Sequence, residues 1–179
     1  MAIASIHKSN IMTNLTAAPL VRNKIQDSGG RVYGKRCTFL TDAAWDTTDA
    51  VPLCRLKATD QVRSIRWNND LADAGMADVD CGLYAANDWS SVSVAFAALI
   101  DLDTFFNSLD MKDAAALFAE CLGSGLTTTG DLVSKPLWQA AGVSAAPPVG
   151  TEYDVALTIN DSVDAASNYT ILIDYMAGS

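Results

Sequence analysis

The chain has 179 residues, 50% of them hydrophobic and 18% charged, and a formal net charge of −9 at pH 7. This composition excludes a disordered chain, and the length predicts one domain with a proper hydrophobic core. No apolar run reaches the ~18–20 residues of a membrane helix. The N-terminus also lacks the apolar segment of a secretory signal, so neither a membrane partner nor secretion is expected.

Charge is unevenly distributed along the chain. The first 66 positions hold ten of the twelve basic residues but only five acids, a formal charge of +5, and the remainder carries −14. Such a split favours an interaction role for one part of the chain, unless the fold mixes the two parts and cancels the polarity. Because most of the surface would repel phosphate, no nucleic-acid partner is expected.

Residues 1–30 lack a regular period and end in the pair Gly29-Gly30. This predicts an extended N-terminal arm, followed by a single domain over residues 31–179. The arm holds too many isolated apolar residues for a free tail, so it is expected to pack on its own domain or on a neighbouring molecule. The arm residues expected to contact a partner are Ile3, Ile6, Ile11, Leu15, Arg22 and Lys24.

The domain begins with a β-rich run at residues 31–40, in which Val32, Cys37 and Phe39 are the expected inward side chains. A polar loop rich in aspartate and threonine follows it. Pro52 then marks the entry to the next strand, because proline cannot donate a hydrogen bond inside a ladder and is tolerated at a strand start.

The stretch from 53 to 85 contains two alternating runs joined by a polar connection. Alternation of this kind predicts strands with one face buried and one face in water. Two such strands in succession predict an antiparallel pair, which we place at the centre of one sheet. The opposed faces are Val62, Ser64 and Arg66 against Gln61, Arg63, Ile65 and Trp67 in the first run, and Val79, Cys81 and Leu83 against Asp78, Asp80 and Tyr84 in the second.

The middle of the chain changes character after a further alternating run at 89–99. The segment 101–122 mixes helix signals with short breaks. Asp110 is placed to cap a helix that begins at Met111, and residues 114–121 carry alanine, leucine and phenylalanine at helical spacing. A second short helix is expected at 135–142, which has a proline early and a glycine late.

Two strong alternating strands, 153–159 and 169–176, close the chain. With the earlier runs they make about seven strands, at the spacing expected of a sandwich or a barrel. The sequence therefore predicts a mostly β protein with antiparallel sheets and one or two short helical insertions.

The residues that support common catalytic and metal sites are sparse. The one histidine, His7, lies in the arm, so triads, Cys-His pairs and multi-histidine zinc sites are not expected. No glycine-rich phosphate loop is present. The sequence predicts no enzyme activity, no catalytic residue, no cofactor and no metal. The four cysteines are widely spaced, which favours buried free thiols over disulfides or zinc ligands; they are Cys37, Cys54, Cys81 and Cys121.

Three weaker hypotheses rest on aspartates and tryptophans. Clustered loop aspartates offer oxygen ligands to calcium, although aspartate in loops is more often a turn former. Carboxylates two residues apart share a strand face, as a glycosidase pair requires. Exposed tryptophans form sugar platforms, although scattered ones are more often core or interface anchors. The residues concerned are Asp70, Asp73, Asp78 and Asp80 for calcium, Asp101/Asp103 or Asp78/Asp80 for the pair, and Trp45, Trp67, Trp89 and Trp138 for the platform.

The order of segments from residue 53 to 176 resembles small head-associated structural proteins of tailed bacteriophages. The segments that carry the resemblance are the strand DVDCGLY at 78–84, the helix LWQAAG at 137–142 before a proline loop, and the closing TILIDYMAGS at 170–179. The proteins it resembles are decoration, or cement, proteins on the capsid exterior.

The resemblance implies a jelly-roll-like β-sandwich, often a homotrimer, made in the host cytoplasm and placed on the outside of the virion. Its arm or edges would bridge and stabilise major capsid protein subunits. A head-neck or tail component has similar composition and stays an alternative. A carbohydrate-binding or adhesin-like module is a second alternative, which solvent exposure of Trp45 and Trp89 would favour. A hydrolase would require a cleft with two carboxylates and a raised pKa.

Overall fold

The computed structural model describes residues 32–43, 45, 47–73, 75–87, 89, 99–113, 118–126 and 132–178. Most of them lie in eight strands. The strands are β1 (Val32–Leu40), β2 (Ala50–Lys57), β3 (Gln61–Asn69), β4 (Val79–Ala85), β5 (Leu99–Leu109), β6 (Ala119–Glu120), β7 (Glu152–Ile159) and β8 (Asn168–Met176). A 3₁₀ turn (Leu132–Ser134) and one short α-helix, α1 (Leu137–Ala140), lie between β6 and β7.

The strands form two four-stranded antiparallel sheets with the orders β1-β8-β3-β6 and β2-β7-β4-β5. Apart from β4 and β5, consecutive strands belong to different sheets, which is the arrangement of a jelly roll. The predicted antiparallel β-sandwich is therefore confirmed. Among the described residues, no helix has the length and apolar character that crossing a membrane requires.

The predicted pairing of the two alternating strands in the stretch 53–85 is wrong. β3 pairs with β8 in one sheet, and β4 pairs with β7 and β5 in the other, so the two strands face each other across the core. Alternation shows which side of a strand is buried, but it does not show which strand lies beside it.

A β-bulge changes the inward face of β3. The register with β8 shifts between Val62 and Ser64, which adds one residue at Arg63. Strict alternation places Val62 opposite Ile65 and Trp67, yet all three side chains are buried. The extra residue therefore brings Val62 to the same side of the sheet as the other two.

Strand β4 has no face in water, contrary to the prediction. Asp80 is 5% exposed and Tyr84 is fully buried. The backbone of β5 bulges across the outer side of β4: a Cβ on Gly82 would lie 2.1 Å from the Asp101 carbonyl oxygen. A glycine is required there because only hydrogen fits between the two backbones.

The helix predicted from Met111 to Leu122 is absent from its described parts. Residues up to Leu109 belong to β5, and Ala119–Glu120 form the short strand β6 beside β3. Burial of Phe105 and Phe106 in the sandwich outweighs the local helix signals. The Asp110 carboxylate accepts a hydrogen bond from the Lys112 amide at 3.1 Å, so its capping chemistry stabilises a turn.

Other expectations have mixed outcomes. The second helix is confirmed as α1, with Pro136 at its N-cap and Gly142 at a φ of 70° after it. Cys37 and Phe39 point inward as predicted, but Val32 is 60% exposed, so its inward assignment is wrong. Residues 90–98 of the strand predicted at 89–99 lie outside the described residues, as do the helix positions 114–117.

Candidate interaction surface

The two sheets are covered to very different extents. In the sheet β2-β7-β4-β5, even the outward residues of its central strands, such as Ala156 and Thr158, are buried. In the sheet β1-β8-β3-β6, only the inward side is buried, and the strands alternate between buried and accessible positions. We call the outer side of this second sheet the open face. Its side chains are Val32, Arg36, Thr38 and Leu40 of β1, Thr170, Leu172, Asp174 and Met176 of β8, Ser64 and Arg66 of β3, and Glu120 of β6.

Apolar side chains mark both ends of β1 on the open face. Val32 is 60% exposed at the start of the strand, and Leu40 is 57% exposed at its end. Between them, Leu172 pairs across the ladder with Arg36 and is half-buried. The apolar groups of the face are thus separated from one another by polar positions and glycine.

The acids of the open face are already paired within it. Arg66 and Asp174 form an ion pair at 2.6 Å, and the Glu120 carboxylate accepts hydrogen bonds from the Ser64 hydroxyl at 2.6 Å and the Ile65 amide at 3.0 Å. Arg36 is exposed and has no acid across the ladder. The two arginines and two acids of the face balance, so the face is close to neutral on a chain whose net charge is −9.

Strand β1 is also an edge strand. In the described residues β8 is its one ladder neighbour, and no strand pairs with its other side. An edge strand of nine residues is a position at which sheets can accept an added strand.

Negative charge is concentrated at one end of the sandwich. The loops β1–β2, β3–β4, β5–β6 and β7–β8 meet there around Asp73. The Asp73 carboxylate accepts hydrogen bonds from the Thr41 hydroxyl at 3.2 Å and from the Asp164 amide at 3.1 Å. The Asp73 amide donates to the Lys112 carbonyl at 2.8 Å. We call this region the acidic end. Its charged residues in the described part of the chain are Asp42, Asp49, Asp70, Asp73, Asp78, Asp110, Asp113, Asp161 and Asp164 against the single base Lys112.

The fold partly mixes the basic and acidic parts of the sequence. Arg55, Lys57 and Arg63 lie toward the far end of the sandwich, where β2 ends and β3 begins, and Asp60, Glu152 and Asp154 lie there too. Arg55 pairs with Asp154 and Arg66 pairs with Asp174, so in the described residues the acidic end is not matched by a basic end.

The aspartates considered for calcium act as hydrogen-bond acceptors within the acidic end. Asp70 accepts hydrogen bonds from the side-chain and backbone N–H groups of Asn168, both at 2.7 Å, which lowers the pKa of Asp70. Asp78 and Asp80 both accept from the Asn160 amide, at 3.2 and 2.8 Å. No group of three or more His, Cys, Asp or Glu side chains in the described residues is arranged to hold a metal.

The carboxylates considered for hydrolysis stabilise the bulge in β5. The Thr104 hydroxyl donates to Asp101 at 2.8 Å, and the Asn107 amide donates to Asp103 at 2.6 Å. Burial raises the pKa of Asp101, and the Ser108 amide donates to Asp80 at 2.8 Å. Each carboxylate is thus held by a local hydrogen bond, and none of them lines the surface hollow described below.

A buried ionic network lies on the outer side of the covered sheet. Asp154 is fully buried and accepts two hydrogen bonds from the Arg55 guanidinium, at 2.7 and 2.9 Å. It also accepts from the Trp89 indole N–H at 2.7 Å and from the Asn87 amide at 3.1 Å. Trp89 has a φ of 52°, which is unusual for a bulky residue, and this network holds it in place. The network closes the outer side of the sheet.

The tryptophans do not form an exposed sugar platform. Trp45 and Trp67 are each 6% exposed and Trp89 is 1% exposed. Phe39 stacks on Trp45 and Tyr169 at centroid distances of 6.1 and 5.3 Å, which makes Trp45 a core residue. The exposure of Trp45 and Trp89 that would favour a carbohydrate-binding module is therefore not observed.

Trp138 is the exception, because it is half-buried at the rim of a surface hollow. The hollow lies at the end of the open face where β1 begins. Its lining residues are Thr59, Gln61, Pro136, Trp138, Met176, Ala177 and Gly178.

The four cysteines are buried and free, as predicted. Cys37 and Cys54 form a hydrogen bond between their thiols, which raises the pKa of Cys37. Burial raises the pKa of Cys81 and Cys121. Protonated, enclosed thiols are poor nucleophiles and poor metal ligands.

The six arm residues expected to contact a partner all lie outside the described residues, so that expectation stays a prediction. The sequence interpretation also missed the open face and the hollow. A signal for the open face was present, because Val32 falls out of phase with Cys37 and Phe39 in a strand of period two.

Comparison with solved structures finds a similar fold in a phage capsid chain. A chain in the capsid structure of Ralstonia phage GP4 is similar with a TM-score of 0.63 and 12% sequence identity, covering 98% of this chain and 99% of that one. A chain in the capsid asymmetric unit of cyanophage Pam1 aligns with a TM-score of 0.49 and 16% identity, covering 88% and 92%. No protein-family model matches the sequence, and no curated protein matches it significantly. The chain thus shares the fold of a GP4 capsid chain over almost its whole length.

Proposed function

We propose that this protein is a structural component of a bacteriophage virion, specifically a decoration, or cement, protein that binds the outside of the capsid and bridges major capsid protein subunits. The observation that carries the proposal is the similarity in fold to the GP4 capsid chain, which extends over 98% of this chain and 99% of that one. A similarity of that extent accounts for the entire domain and its connections, and not only for a common sandwich core.

The surface of the domain supports a binding role without catalysis. The open face offers apolar side chains, an exposed arginine and an edge strand on one side of the molecule, while the other sheet is closed by its own buried network. The carboxylates and thiols that a hydrolase would use are held in hydrogen bonds or buried. We therefore propose that the protein is not an enzyme.

The charge pattern supports a bridging role. The acidic end concentrates carboxylates, and the arm carries Lys8, Arg22 and Lys24 against the single acid Asp27. Different surfaces of neighbouring copies can therefore meet in a heterologous contact, which closes into a ring when the rotation allows it. We extend the proposal to a homotrimer in which the arm reaches a neighbouring subunit, and in which many modest contacts gain strength from multivalency.

The proposal is tested by adding the purified protein to capsids that lack it. We expect saturable co-sedimentation at a fixed ratio to the major capsid protein, and a higher melting temperature of the decorated capsids. Binding to isolated tails or necks but not to capsids would contradict the cement role and favour the head-neck or tail alternative. The native mass from light scattering distinguishes a trimer from a monomer.

A variant that lacks the arm tests the bridging role in the same experiment. Removing residues 1–30 is expected to leave a folded domain with an unchanged circular dichroism spectrum, because the described sheets lie entirely within residues 32–176. The deletion is expected to abolish capsid binding or trimer formation. If the deletion unfolds the domain instead, the arm is part of the core and the bridging role is wrong.

A further inference from the structure

The two sheets approach each other where β1 faces β2. β1 begins the strand order of one sheet and β2 begins that of the other, so both are edge strands of the described sheets. The Lys35 ammonium on β1 donates a hydrogen bond to the Arg55 carbonyl on β2. A side chain of one edge strand therefore reaches the backbone of the other, and the two strands meet directly at this position.

Cys37 and Cys54 lie beside this contact. Cys37 follows Lys35 by two residues and so lies on the same side of β1, and Cys54 directly precedes Arg55. Both cysteines are fully buried, and their thiols share a hydrogen bond. Two sulfurs in such contact require only a short movement to reach the bond length of a disulfide, about 2.05 Å.

The environment distinguishes the two thiols from each other. The hydrogen bond from the Cys37 thiol lowers the pKa of Cys54, and the positive charge of Lys35 lowers it further in spite of burial. The same hydrogen bond, together with burial, raises the pKa of Cys37. One sulfur is thus favoured as the thiolate while its neighbour stays protonated, which is the combination of an attacking and a resolving cysteine.

The other two cysteines have a different environment. The Cys121 thiol donates to the Ile65 carbonyl at 3.0 Å. Burial raises the pKa of Cys81 and of Cys121. Because the protonated form is favoured at both, these two thiols serve as internal references for the reactivity of the pair.

We propose that Cys37 and Cys54 form an oxidisable dithiol, which peroxide converts into a disulfide that joins β1 to β2 and so links the two sheets. The Cys54 thiolate attacks one oxygen of hydrogen peroxide and breaks the O–O bond, which leaves a sulfenic acid on Cys54; the hydroxide released takes up the proton that Cys54 had lost. The Cys37 sulfur then attacks the Cys54 sulfur, the S–O bond breaks, and the departing hydroxide takes the Cys37 proton. In total, two thiols are oxidised to a disulfide and one peroxide is reduced to two waters.

The disulfide fastens an edge strand of one sheet to the opposite sheet, and it also restricts the unfolded chain. The inference does not rest on the virion role proposed above, because the thiols and the contact between β1 and β2 belong to the domain itself.

Mass spectrometry of the full-length protein tests the proposal. The reduced protein is treated with hydrogen peroxide under native conditions, unfolded in iodoacetamide to alkylate the remaining thiols, and digested with trypsin. Cys37 and Cys54 lie in one tryptic peptide, residues 37–55, which contains no internal lysine or arginine. We expect this peptide to lose two hydrogens and to carry no alkyl group, whereas the peptides that contain Cys81 and Cys121 are alkylated.

The melting temperature shows whether the bond joins the folded sheets. The oxidised protein is expected to melt roughly 5–10 °C above the reduced protein. Cys54→Ser removes the attacking thiol and is expected to abolish this shift. Cys121→Ser is the matched control, because a hydroxyl can donate to the same carbonyl, and the shift is expected to remain. The shift is measured within each variant, so a change in the stability of the variant itself does not affect the comparison.

Lys35→Met tests the part played by the nearby charge. Without the ammonium the Cys54 thiolate is less favoured, and formation of the disulfide is expected to slow severalfold. An unchanged rate would overturn the assignment of Cys54 as the attacking thiol.

Three results of the peroxide treatment would overturn the proposal as a whole. They are alkylation of both thiols in the peptide 37–55, a disulfide to Cys81, to Cys121 or to a second copy, and a sulfinic or sulfonic acid at Cys54 without a disulfide. A disulfide within the peptide 37–55 that lowers the melting temperature would also overturn it, because the bond would then distort the contact between the sheets.

Discussion

The two sheets of this sandwich have the same number of strands but differ in what lies on their outer sides. The sheet β2-β7-β4-β5 is closed by the Asp154 network and by the bulge of β5 over Gly82. The sheet β1-β8-β3-β6 presents alternating side chains to the surroundings. The two sheets therefore differ in role. The first is a structural layer that is buried on both faces, and the second has a buried inner face and an outer face that is open to a partner.

The strand sequences reflect this division of tasks. β2 and β7 are buried along almost their whole length, whereas β8 alternates between buried and accessible positions and β1 does so in its second half. A strand buried on both faces requires apolar residues at successive positions, and a strand with one open face requires them only at every second position. The face of a sandwich that is available for binding can therefore be recognised from the sheet whose strands alternate.

The largest expected difference between the sheets concerns their ion pairs. Asp154→Ala leaves Arg55 without its buried partner and is expected to cost about 4 kcal/mol of unfolding free energy. Asp174→Ala breaks the accessible pair with Arg66, for which solvent screening leaves a cost under about 1 kcal/mol. Urea unfolding of both variants measures the contrast. Similar losses in the two variants would contradict the division between a structural and an open sheet.

Glycines in the two sheets provide a second, steric contrast. Gly82→Ala places a Cβ 2.1 Å from a backbone oxygen of β5, and relief of the clash is expected to cost about 3 kcal/mol. The matched change Gly34→Ala lies on β1, where the Cβ meets only the end of the Asp174 side chain at 3.2 Å, and is expected to cost under about 0.5 kcal/mol. Thermal unfolding compares the two, and a tolerated Gly82→Ala would show that β5 does not lie rigidly over β4.

Charge reversal separates binding from stability. Arg36→Glu on the open face is expected to leave the unfolding free energy within about 0.5 kcal/mol, and to weaken capsid binding about tenfold. Lys57→Glu makes the same charge change on β2 of the covered sheet and is expected to bind normally. Co-sedimentation with capsids measures both affinities. Equal weakening would mean that the total charge matters and that the open face does not.

The smallest expected effect concerns Asp101 in the bulge of β5. Burial raises the pKa of Asp101 in the folded state, so folding favours its protonated form. Its stabilising contribution is present below the pKa of the unfolded chain and is lost as the pH rises through the higher folded pKa. Asp101→Asn is therefore expected to raise the melting temperature at pH 7 and to leave it nearly unchanged at pH 3. An increase of equal size at both pH values would attribute the effect to packing.

The sequence predicted the layer architecture better than the pairing within layers. The alternation of β1, β3, β7 and β8 and the turn residues between them were sufficient to predict an antiparallel sandwich. They did not reveal the partner of β3, because any alternating strand fits beside any other until the long-range contacts form. The segment of β5 shows mixed local signals, and its strand depends on Phe105 and Phe106, whose burial requires the complete fold.

The candidate surface was predictable only in part. The excess of acids in the later part of the chain was evident from the sequence. Most aspartates of the acidic end come from that part. The open face could be predicted from Val32, because it is out of phase with Cys37 in the alternation of β1. Our prediction that Val32 points inward is wrong. The hollow beside Trp138 joins residues as distant as Thr59 and Met176, so no local pattern indicates it.

The positions of the last two strands have a consequence for the order of folding. β8 lies between β1 and β3, and β7 lies between β2 and β4, so each sheet lacks an inner strand until residues 152–176 have been synthesised. A chain emerging from the ribosome therefore exposes unpaired strand edges for most of its synthesis, a condition that favours aggregation. Because most pairings join distant positions, the released chain is expected to fold slowly, over about milliseconds to seconds.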